Sequence, residues 1–343
     1  MKRTVLLWPL IALVAACDAP STASHAALAP PAGGAGLLPL DGARIVLYNV
    51  ENLFDTIDDP RTNDDDFLPR GRLRWTAGRY AHKLERLAQA IAWSGEGPPP
   101  IVGLAEVENR AVVEDLAATM PLAAVPYVVV HHDSPDERGI DVALLVDPAH
   151  ARVRAHEALR VPLAGGDRTR DVLHAQLELE AGEVLHVLVV HWPSRRDGPE
   201  VSGPKRMAAA SVVRRRVDAI LHDDPDARVL IMGDLNDGPT DASVAEGLGA
   251  VCDPRREAPL YALMCIDQPE GHGSYNYQGE WSYLDQFIVS RALLHEVDHA
   301  KAHWDQRLLF RHPRYGRSPD RTFAGTDHKG GYSDHLPVVL QLR

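Results

Sequence analysis

The sequence predicts an α+β sandwich, because short strand segments arrive in adjacent pairs and helices stand between the pairs. Residues 172–179 and 184–191 form one predicted hairpin around Ala181-Gly182, and residues 127–131 and 140–146 form a second pair joined by a polar turn. A parallel βαβ fold would instead alternate single strands with single helices. The 343 residues are 45% hydrophobic and 24% charged, which is sufficient for one large domain with a sizeable core.

The remaining elements are predicted, in chain order, from apolar runs and from the spacing of apolar residues. A strand is predicted at 44–50, and an amphipathic helix at 78–93 has apolar residues at helical spacing and stops at Gly97-Pro98-Pro99-Pro100. A strand at 101–105 and a helix at 111–120 come next. Later elements are a helix at 204–222 with an Arg-rich face and strands at 228–232, 286–289 and 337–342.

The amino terminus is predicted to be a targeting segment. Lys2 and Arg3 precede an apolar stretch that is too short for a membrane span and ends in Val14-Ala15-Ala16-Cys17, which resembles a bacterial lipobox. We expect residues 1–16 to be a signal peptide, Cys17 to be lipidated, 17–42 to be a flexible Ala/Pro/Gly-rich tether and 43–343 to be a single domain. The alternative is an ordinary cleaved signal peptide with a chance cysteine.

These features indicate an exported bacterial lipoprotein, held on a membrane in the periplasm or at the cell surface and expected to be a monomer. In such an oxidising compartment Cys252 and Cys265 are expected to form a disulfide, the alternative being two separate buried thiols. The formal net charge of -12 argues against a general nucleic-acid coat protein, because nonspecific affinity depends on Lys and Arg. It does not exclude an enzyme with a local basic cleft.

Polar motifs stand at the ends of several predicted strands, where loops and functional residues collect. Each has an ordinary interpretation as a turn, a cap or a solvated loop, so the interest lies in their joint occurrence and order. They are Asn49-Val50-Glu51-Asn52, Glu106 after Leu104-Ala105, His191-Trp192-Pro193-Ser194-Arg195, Gly233-Asp234-Leu235-Asn236, Asp285 after Tyr283-Leu284, and Ser333-Asp334-His335-Leu336-Pro337.

From about Arg44 to Arg343 these motifs resemble the endonuclease/exonuclease/phosphatase superfamily, whose members include DNase I, abasic-site nucleases, neutral sphingomyelinases and inositol polyphosphate 5-phosphatases. Gly-Asp-x-Asn with Ser-Asp-His-x-Pro is the most specific part. The 132–143 segment, His191 to Arg195 and Tyr275-Asn276-Tyr277 look like a bacterial secreted branch of that superfamily. The resemblance implies a four-layer α/β/β/α sandwich, DNase I-like, with the site at one rim.

The resemblance also implies metal-dependent hydrolysis of a phosphodiester or phosphomonoester, with a nucleic acid, a phospholipid head group or a small phosphorylated metabolite as substrate. Mg²⁺ or Mn²⁺ prefers hard oxygen ligands, for which Glu106, Asn49 and Asp334 are the candidates. The candidate catalytic residues are Asp234, which orients or deprotonates water, Asn236, which helps to hold the phosphate, and His191, which contacts the phosphate or acts as an acid or base. His335 contacts the scissile phosphate or transfers a proton, with Asp285 as its ring partner. Arg138 and Arg195 are candidate phosphate-binding forks.

For several other charged residues the sequence leaves two possible roles open. Glu51, Glu108, Asp55 and residues 64–66 either add a second metal ion or are solvated loop, and the solvated interpretation is favoured. Asp141 is either a site residue or an ion-pair partner. Lys205, Arg206 and residues 214–216 are either a helix surface or a nucleic-acid groove.

Two rival functions have less support. His295-Glu296-Val297-Asp298-His299 fits the zinc-metalloprotease pattern H-E-x-x-H, but the flanking sequence predicts no long buried helix to carry it. A non-catalytic surface lipoprotein that uses the fold for binding is the other alternative. The intact set of polar motifs argues against that alternative.

Overall fold

The computed structural model describes residues 36–196, 198–266 and 268–343, which form two facing β-sheets with helices outside them. Cys17, the predicted signal peptide and most of the predicted tether lie outside the described residues. The end of that tether packs on the domain, because Leu38 N donates to Ala149 O (2.7 Å) and Leu40 is buried in the core. The described end of the predicted tether is therefore part of the domain.

The first sheet has six strands in the order β14-β19-β1-β2-β4-β3. Its central pair, β1 and β2, runs parallel, and the other neighbours are antiparallel. The strands span Arg44–Leu53 (β1), Ile101–Val107 (β2), Val128–His131 (β3), Asp141–Val146 (β4), Val297–Ala302 (β14) and Val338–Leu342 (β19).

The second sheet has seven strands in the order β5-β6-β7-β8-β13-β10-β9. Its central pair, β7 and β8, is again parallel. The strands span Arg152–Leu159 (β5), Val172–Glu178 (β6), Val184–His191 (β7), Arg228–Asp234 (β8), Ala250–Val251 (β9), Leu260–Ala262 (β10) and Asp285–Ser290 (β13). Short hairpins decorate the rim: Tyr275–Tyr277 with Glu280–Ser282 (β11, β12), Leu309–His312 with Gly316–Pro319 (β15, β16) and Phe323–Ala324 with Asp327–His328 (β17, β18).

The helices make the outer layers. Helices α1 (Ala77–Trp93) and α2 (Arg110–Ala117) pack on the first sheet, where Leu87 and Ile91 meet Val46 and Val102. Helix α3 (Pro199–Asp223) packs on the second sheet, and a fourth helix, α4 (Arg291–Leu294), is a single turn. A third apolar cluster, which includes Leu47, Leu144, Val187, Met232 and Phe287, lies between the two sheets. The predicted four-layer α/β/β/α order is confirmed.

Most predicted elements agree with the structure to within a few residues. Helix α3 begins five residues before the predicted Pro204, because Pro199 already stands in its first turn, where a missing backbone N–H costs nothing. Strands β5, β9, β10 and β14 were not predicted, since they are short, edge-located or rich in charged residues. Among the described residues no helix is both long and apolar enough to span a membrane.

The predicted bridge between Cys252 and Cys265 is confirmed, with an S–S distance of 2.01 Å. It joins the segments that follow the edge strand β9 and its neighbour β10. The bridge therefore closes a loop at the far edge of the second sheet.

Candidate active site

Strand register in the second sheet places three of the predicted catalytic residues side by side. His191 ends β7 opposite Asp234 at the end of the parallel β8, and Asp285 begins the antiparallel β13 opposite Asp234. All three are buried. The sandwich rim therefore assembles side chains that are up to 94 residues apart in sequence.

His335 and Asp285 form a hydrogen-bonded couple, with His335 Nδ1 2.6 Å from Asp285 Oδ2. The other ring nitrogen, Nε2, faces Asp234 Oδ2 at 3.8 Å. Burial lowers the pKa of His335, but the carboxylates of Asp285, Asp234 and Asp334 outweigh burial and hold the net pKa well above its ordinary value. His335 is therefore an imidazolium at neutral pH, as the predicted His–Asp pair required.

Asp234 is held by two amide donors. Asn49 Nδ2 donates to its Oδ2 (3.0 Å), and the backbone N of Asn236 donates to its Oδ1 (2.9 Å). Burial raises the pKa of Asp234 to about 6, against the lowering effect of His335. This carboxylate is fixed in direction and titrates close to neutrality, the range in which a proton acceptor works best.

His191 lies between Glu106 of the first sheet and Asp234 of the second sheet. Its Nε2 is 3.8 Å from both Glu106 Oε1 and Asp234 Oδ2. Burial, and then the positive charges of Arg170 and Arg138, hold the pKa of His191 well below its ordinary value. Arg170 Nε donates to the His191 carbonyl (3.1 Å) and fixes this strand end. His191 is thus a neutral donor beside a charged His335.

The first sheet contributes the carboxylates of Glu51 and Glu106 where its strands leave regular geometry. Together with Asp334, which precedes β19, they are called the oxygen rim below. Register shifts interrupt β1 between Asn49 and Leu53 and β2 between Ala105 and Val107, and Glu51 (φ 50°), Asn52 (φ 56°) and Glu106 (φ 68°) adopt left-handed backbone conformations. Asn52 N donates to Glu106 Oε2 (3.0 Å). Such bulges redirect side chains near active sites, and here they turn Glu106 toward His191.

Glu51 shows that the solvated interpretation is wrong for part of the acidic set. Its carboxylate is buried and accepts from the backbone N of Thr322 (2.6 Å), and Arg321 links it (3.4 Å) to Asp334 (3.0 Å). Burial, then the charge of Asp334, raises the pKa of Glu51. Sequence reasoning missed Arg321 altogether, and the bulge that turns Glu51 inward interrupts the two-residue alternation on which such reasoning depends.

The other acids divide between buried and exposed. Asp64 and Glu108 are buried, contrary to prediction, and Glu108 Oε2 accepts from the backbone N of Asp55 (2.7 Å). Asp65 is exposed as predicted, and Asp66 pairs with Arg72 at 2.6 Å. Asp141 Oδ2 lies 3.0 Å from His131 Nε2, and with Asp133 these two residues present possible ligand atoms within 4.8 Å of one another, so both interpretations of Asp141 remain.

The predicted basic residues have different roles in the structure. Arg138 reaches Asp136 only loosely (3.7 Å) and acts on His191 through its charge. Arg195, in contrast, donates Nε to the Asn236 carbonyl (2.6 Å) and Nη2 to Asp237 (2.7 Å) and Asp241. Arg195 therefore fixes the loop after β8 through Nε and Nη2. Its role as a phosphate fork stays a prediction.

Asn236 and Lys83 also contribute in ways that sequence reasoning did not indicate. Asn236 has a left-handed backbone (φ 51°), and its Nδ2 donates to the Trp192 carbonyl (3.0 Å), which ties two strand ends together. Lys83 is buried beneath the oxygen rim, donating to Thr322 Oγ1 and the Tyr332 carbonyl. Burial lowers its pKa to about 8, against the raising effect of Glu51, Asp334 and Glu106.

The cations of α3 are mostly engaged by the protein. Arg206 is buried against Asp237 (2.7 Å), Arg214 pairs with Asp218 (2.7 Å) and Arg216 pairs with Glu157 (2.7 Å). Lys205 pairs with Asp167 (2.6 Å). These contacts favour a structural helix surface over a continuous nucleic-acid groove.

The zinc-metalloprotease interpretation is wrong. Helix α4 ends at Leu294, before His295, and His299 lies in β14, where it contacts Asp298 (2.8 Å). The motif needs both histidines one turn apart on a helix. A strand carries the second histidine here, so the two rings cannot share a ligand face of that kind.

Mg²⁺ or Mn²⁺ prefers carboxylate oxygens, and the predicted metal ligands Glu106 and Asp334 lie, with Glu51, near enough to the buried ammonium of Lys83 to raise its pKa. That these carboxylates bind a metal ion stays a prediction. Asn49 Oδ1 already accepts from the backbone N of Glu51 (3.0 Å), so the place of Asn49 among the ligands stays a prediction. Asp234, Asp285 and His335 also present ligand atoms within 4.8 Å of one another, but that group is already joined as a His–Asp couple.

Comparisons with known proteins bear on this geometry. A family model described as Endonuclease/Exonuclease/phosphatase family matches residues 44–343. The structure is similar to truncated TDP2 of Caenorhabditis elegans (18% identity, TM-score 0.54, 88% of this chain and 98% of that chain). It is also similar to a mannosyl-6-phosphatase of Bacteroides thetaiotaomicron (15% identity, TM-score 0.57, 88% and 99%) and to D. rerio TDP2 complexed with a single-strand DNA product (18% identity, TM-score 0.53, 88% and 98%). No curated protein matches the chain by sequence.

Proposed function

Because the chain belongs to the endonuclease/exonuclease/phosphatase family, we propose that it hydrolyses a phosphoester bond with the help of a divalent metal ion. The observation that carries the proposal is the line of contacts from Asp285 through His335 to Asp234. This line lies next to the Glu106 carboxylate, which is 3.8 Å from His191. Together these groups supply a proton acceptor, an imidazolium and an oxygen rim around one position.

Asp234 accepts the proton of the attacking water. Its two amide contacts, from Asn49 to Oδ2 and from the backbone of Asn236 to Oδ1, hold both carboxylate oxygens in fixed directions. With a pKa raised to about 6 by burial, Asp234 is ionised at neutral pH and more basic than an exposed carboxylate. Water is thereby oriented and deprotonated by the same group.

The two histidines stabilise negative charge on the phosphoryl oxygens. His335 remains charged because Asp285 holds its Nδ1, which leaves Nε2–H for the reacting phosphate. The neutral His191 donates a second hydrogen bond from the opposite side. Glu106, with Asp334 and Glu51 beside it, would hold a divalent metal ion, which would neutralise charge on the phosphate when bound. Both contributions favour the transition state over the substrate.

The substrate class stays open among three chemically compatible kinds: nucleic acid, a phospholipid head group and a small phosphorylated metabolite. TDP2 holds a single-strand DNA product in one similar structure, and another similar structure is a sugar phosphatase. These likenesses lie at or below 18% identity and support the fold alone.

A parallel activity screen tests the proposal. The purified protein is incubated with bis-p-nitrophenyl phosphate, p-nitrophenyl phosphate, a short single-stranded DNA, sphingomyelin and mannose 6-phosphate, each with Mg²⁺, Mn²⁺ or EDTA. Casein serves as the control for proteolysis. We expect cleavage of at least one phosphoester with metal and none with EDTA. Hydrolysis of none of them with either metal would favour the non-catalytic binding alternative.

We also propose that the protein is an exported lipoprotein anchored through Cys17. Support comes from Val14-Ala15-Ala16-Cys17 after a short apolar run. Expressed in a bacterium, the wild type should partition into the detergent phase, whereas Cys17→Ala should be released or remain unprocessed. Intact-mass analysis of the mature chain checks the modification, and an unmodified Cys17 would exclude the anchor.

A further inference from the structure

A basic pocket adjoins the His191 side of the site. This cavity of about 230 Å³ is surrounded by five cationic side chains and one acid, namely Arg138, Arg168, Arg170, Arg196, Lys205 and Asp167. The whole chain has a formal net charge of -12. A concentration of positive charge in an acidic protein indicates a local binding site for an anion.

The pocket is joined to the catalytic residues through Arg170. Arg170 lines the pocket, and its guanidinium donates Nε to the His191 carbonyl (3.1 Å) and Nη2 to the Trp192 carbonyl (2.6 Å). Arg138 lines the same pocket, and its charge lowers the pKa of His191. An anion in the pocket would therefore lie next to the strand end that carries His191.

The cations of the basic pocket are only partly neutralised. Asp136 forms an ion pair with Arg170 (2.9 Å) and a longer one with Arg138 (3.7 Å). Arg168 meets Glu137 at 3.3 Å, where both side chains are more than half exposed, so solvent weakens that pair. Arg196 is exposed and forms no ion pair with any residue that the structure describes. Positive charge is thus left available at the pocket mouth.

We propose that the basic pocket binds a second phosphate group of the substrate, next to the phosphate that is hydrolysed. Guanidinium groups bind phosphate oxygens in a bidentate manner, and three of them, from Arg138, Arg168 and Arg196, face a cavity with room for one such group. This inference rests on the proposed phosphoesterase function and narrows it to substrates with two neighbouring phosphates. Such a group is found in a nucleotide chain and in a bisphosphorylated metabolite.

Matched pairs of probes test the pocket. Thymidine 3′-phosphate 5′-(p-nitrophenyl phosphate) differs from thymidine 5′-(p-nitrophenyl phosphate) only in the second phosphate, and glucose 1,6-bisphosphate differs likewise from glucose 1-phosphate. For the wild type we expect kcat/KM to be higher with the second phosphate in at least one pair. In the double variant Arg168→Ala/Arg196→Ala that preference should fall about 10-fold, the scale of lost charge-assisted hydrogen bonds.

Arg215→Ala is the matched control, because Arg215 is an exposed arginine of α3 that does not line the pocket. A preference confined to the thymidine pair identifies a nucleotide chain, and one confined to the glucose pair identifies a bisphosphorylated metabolite. Equal kcat/KM within both pairs for the wild type, or a preference that survives in the double variant, would overturn the inference while leaving the phosphoesterase function intact.

Binding measurements test whether the basic pocket binds the second phosphate without any need for catalysis. Calorimetry in EDTA compares thymidine 3′,5′-bisphosphate with thymidine 5′-phosphate as ligands of the wild type and the double variant. Tighter binding of the bisphosphate that is lost in the double variant supports the proposed phosphate site, whether or not any probe is hydrolysed. The absence of hydrolysis would count only against the proposed catalytic function. Equal affinities for the two ligands would overturn it.

Discussion

At the scale of single residues, the two histidines of the site have pKa values shifted in opposite directions. His335 is held charged by Asp285, and His191 is held neutral by burial and by neighbouring arginines. The pairing of His335 with Asp285 could be predicted from the motifs, because a catalytic histidine commonly has a carboxylate partner. The lowered pKa of His191 could not, since it depends first on burial in the folded sandwich and then on the charge of Arg170, which lies in the segment before β6.

The couple of Asp285 and His335 leads to the first prediction. Asp285→Asn removes the charge that raises the pKa of His335, so His335 should lose its proton at a lower pH. The alkaline limb of the pH–rate profile should therefore move to lower pH, and the rate should fall by roughly 10²–10⁴-fold, the usual contribution of a positioned acid or base. Rates measured from pH 5 to 10 check both effects.

The double variant is the control for this prediction. His335→Ala should lose a similar factor, and Asp285→Asn/His335→Ala should be little slower than either single variant, because the two residues act as a unit. Circular dichroism confirms that each variant folds. Additive losses with an unmoved pH profile would show that the two residues act independently.

At the scale of elements, the site depends on where strands end and where they bulge. The strand ends at His191 and Asp234 were visible in the sequence as polar residues after apolar runs. The bulges that turn Glu51 and Glu106 inward were not, because left-handed backbone at a glutamate has no sequence signal comparable to glycine. This difference explains why Glu51 was assigned to solvent.

Gly233 provides a prediction about the pairing of β7 with β8. A Cβ at this position would lie 1.9 Å from the Val190 carbonyl oxygen, and the two residues are register partners one step before His191 and Asp234. Gly233→Ala should therefore separate the strands, lower the free energy of unfolding by roughly 1–3 kcal/mol and reduce activity. Urea unfolding and kcat measure the two effects.

Gly78 in α1 is the matched control glycine, with open space around its Cβ position and no left-handed φ. Gly78→Ala should stabilise the helix by up to about 1 kcal/mol and leave activity unchanged. Equal stability and activity of Gly233→Ala and the wild type would contradict the close packing of β7 and β8.

The disulfide supports a prediction at the edge of the second sheet. Cys252 and Cys265 are 13 residues apart, and a bridge that closes a loop of this length contributes about 3 kcal/mol in the chain-entropy account. Cys252→Ser/Cys265→Ser should lower the unfolding midpoint in urea, with kcat nearly unchanged because the bridge is remote from the rim. An unfolding midpoint that a reductant does not shift would contradict the bridge.

At the scale of the whole molecule, the pairing of two sheets explains why residues 49 and 335 share one site. Adjacent strand pairs and interspersed helices predicted the sandwich, and the four-layer order followed from the family resemblance. Strand order and register could not be predicted from periodicity, because a repeat of two residues indicates a face of a sheet but not its neighbours. The approach of Arg321 to Glu51 is one consequence of that order.

The central claim is that this rim is a metal-assisted hydrolytic centre, and a metal titration of Glu106→Gln tests it most directly. With a phosphoester that the wild type cleaves, the rate is measured against Mg²⁺ or Mn²⁺ concentration for the wild type, Glu106→Gln and the exposed control Glu114→Gln. We predict that Glu106→Gln lowers the maximal rate and raises the metal concentration for half-maximal rate at least about 10-fold, as loss of a charged oxygen ligand requires. A titration of Glu106→Gln that overlays those of the wild type and Glu114→Gln would contradict the account.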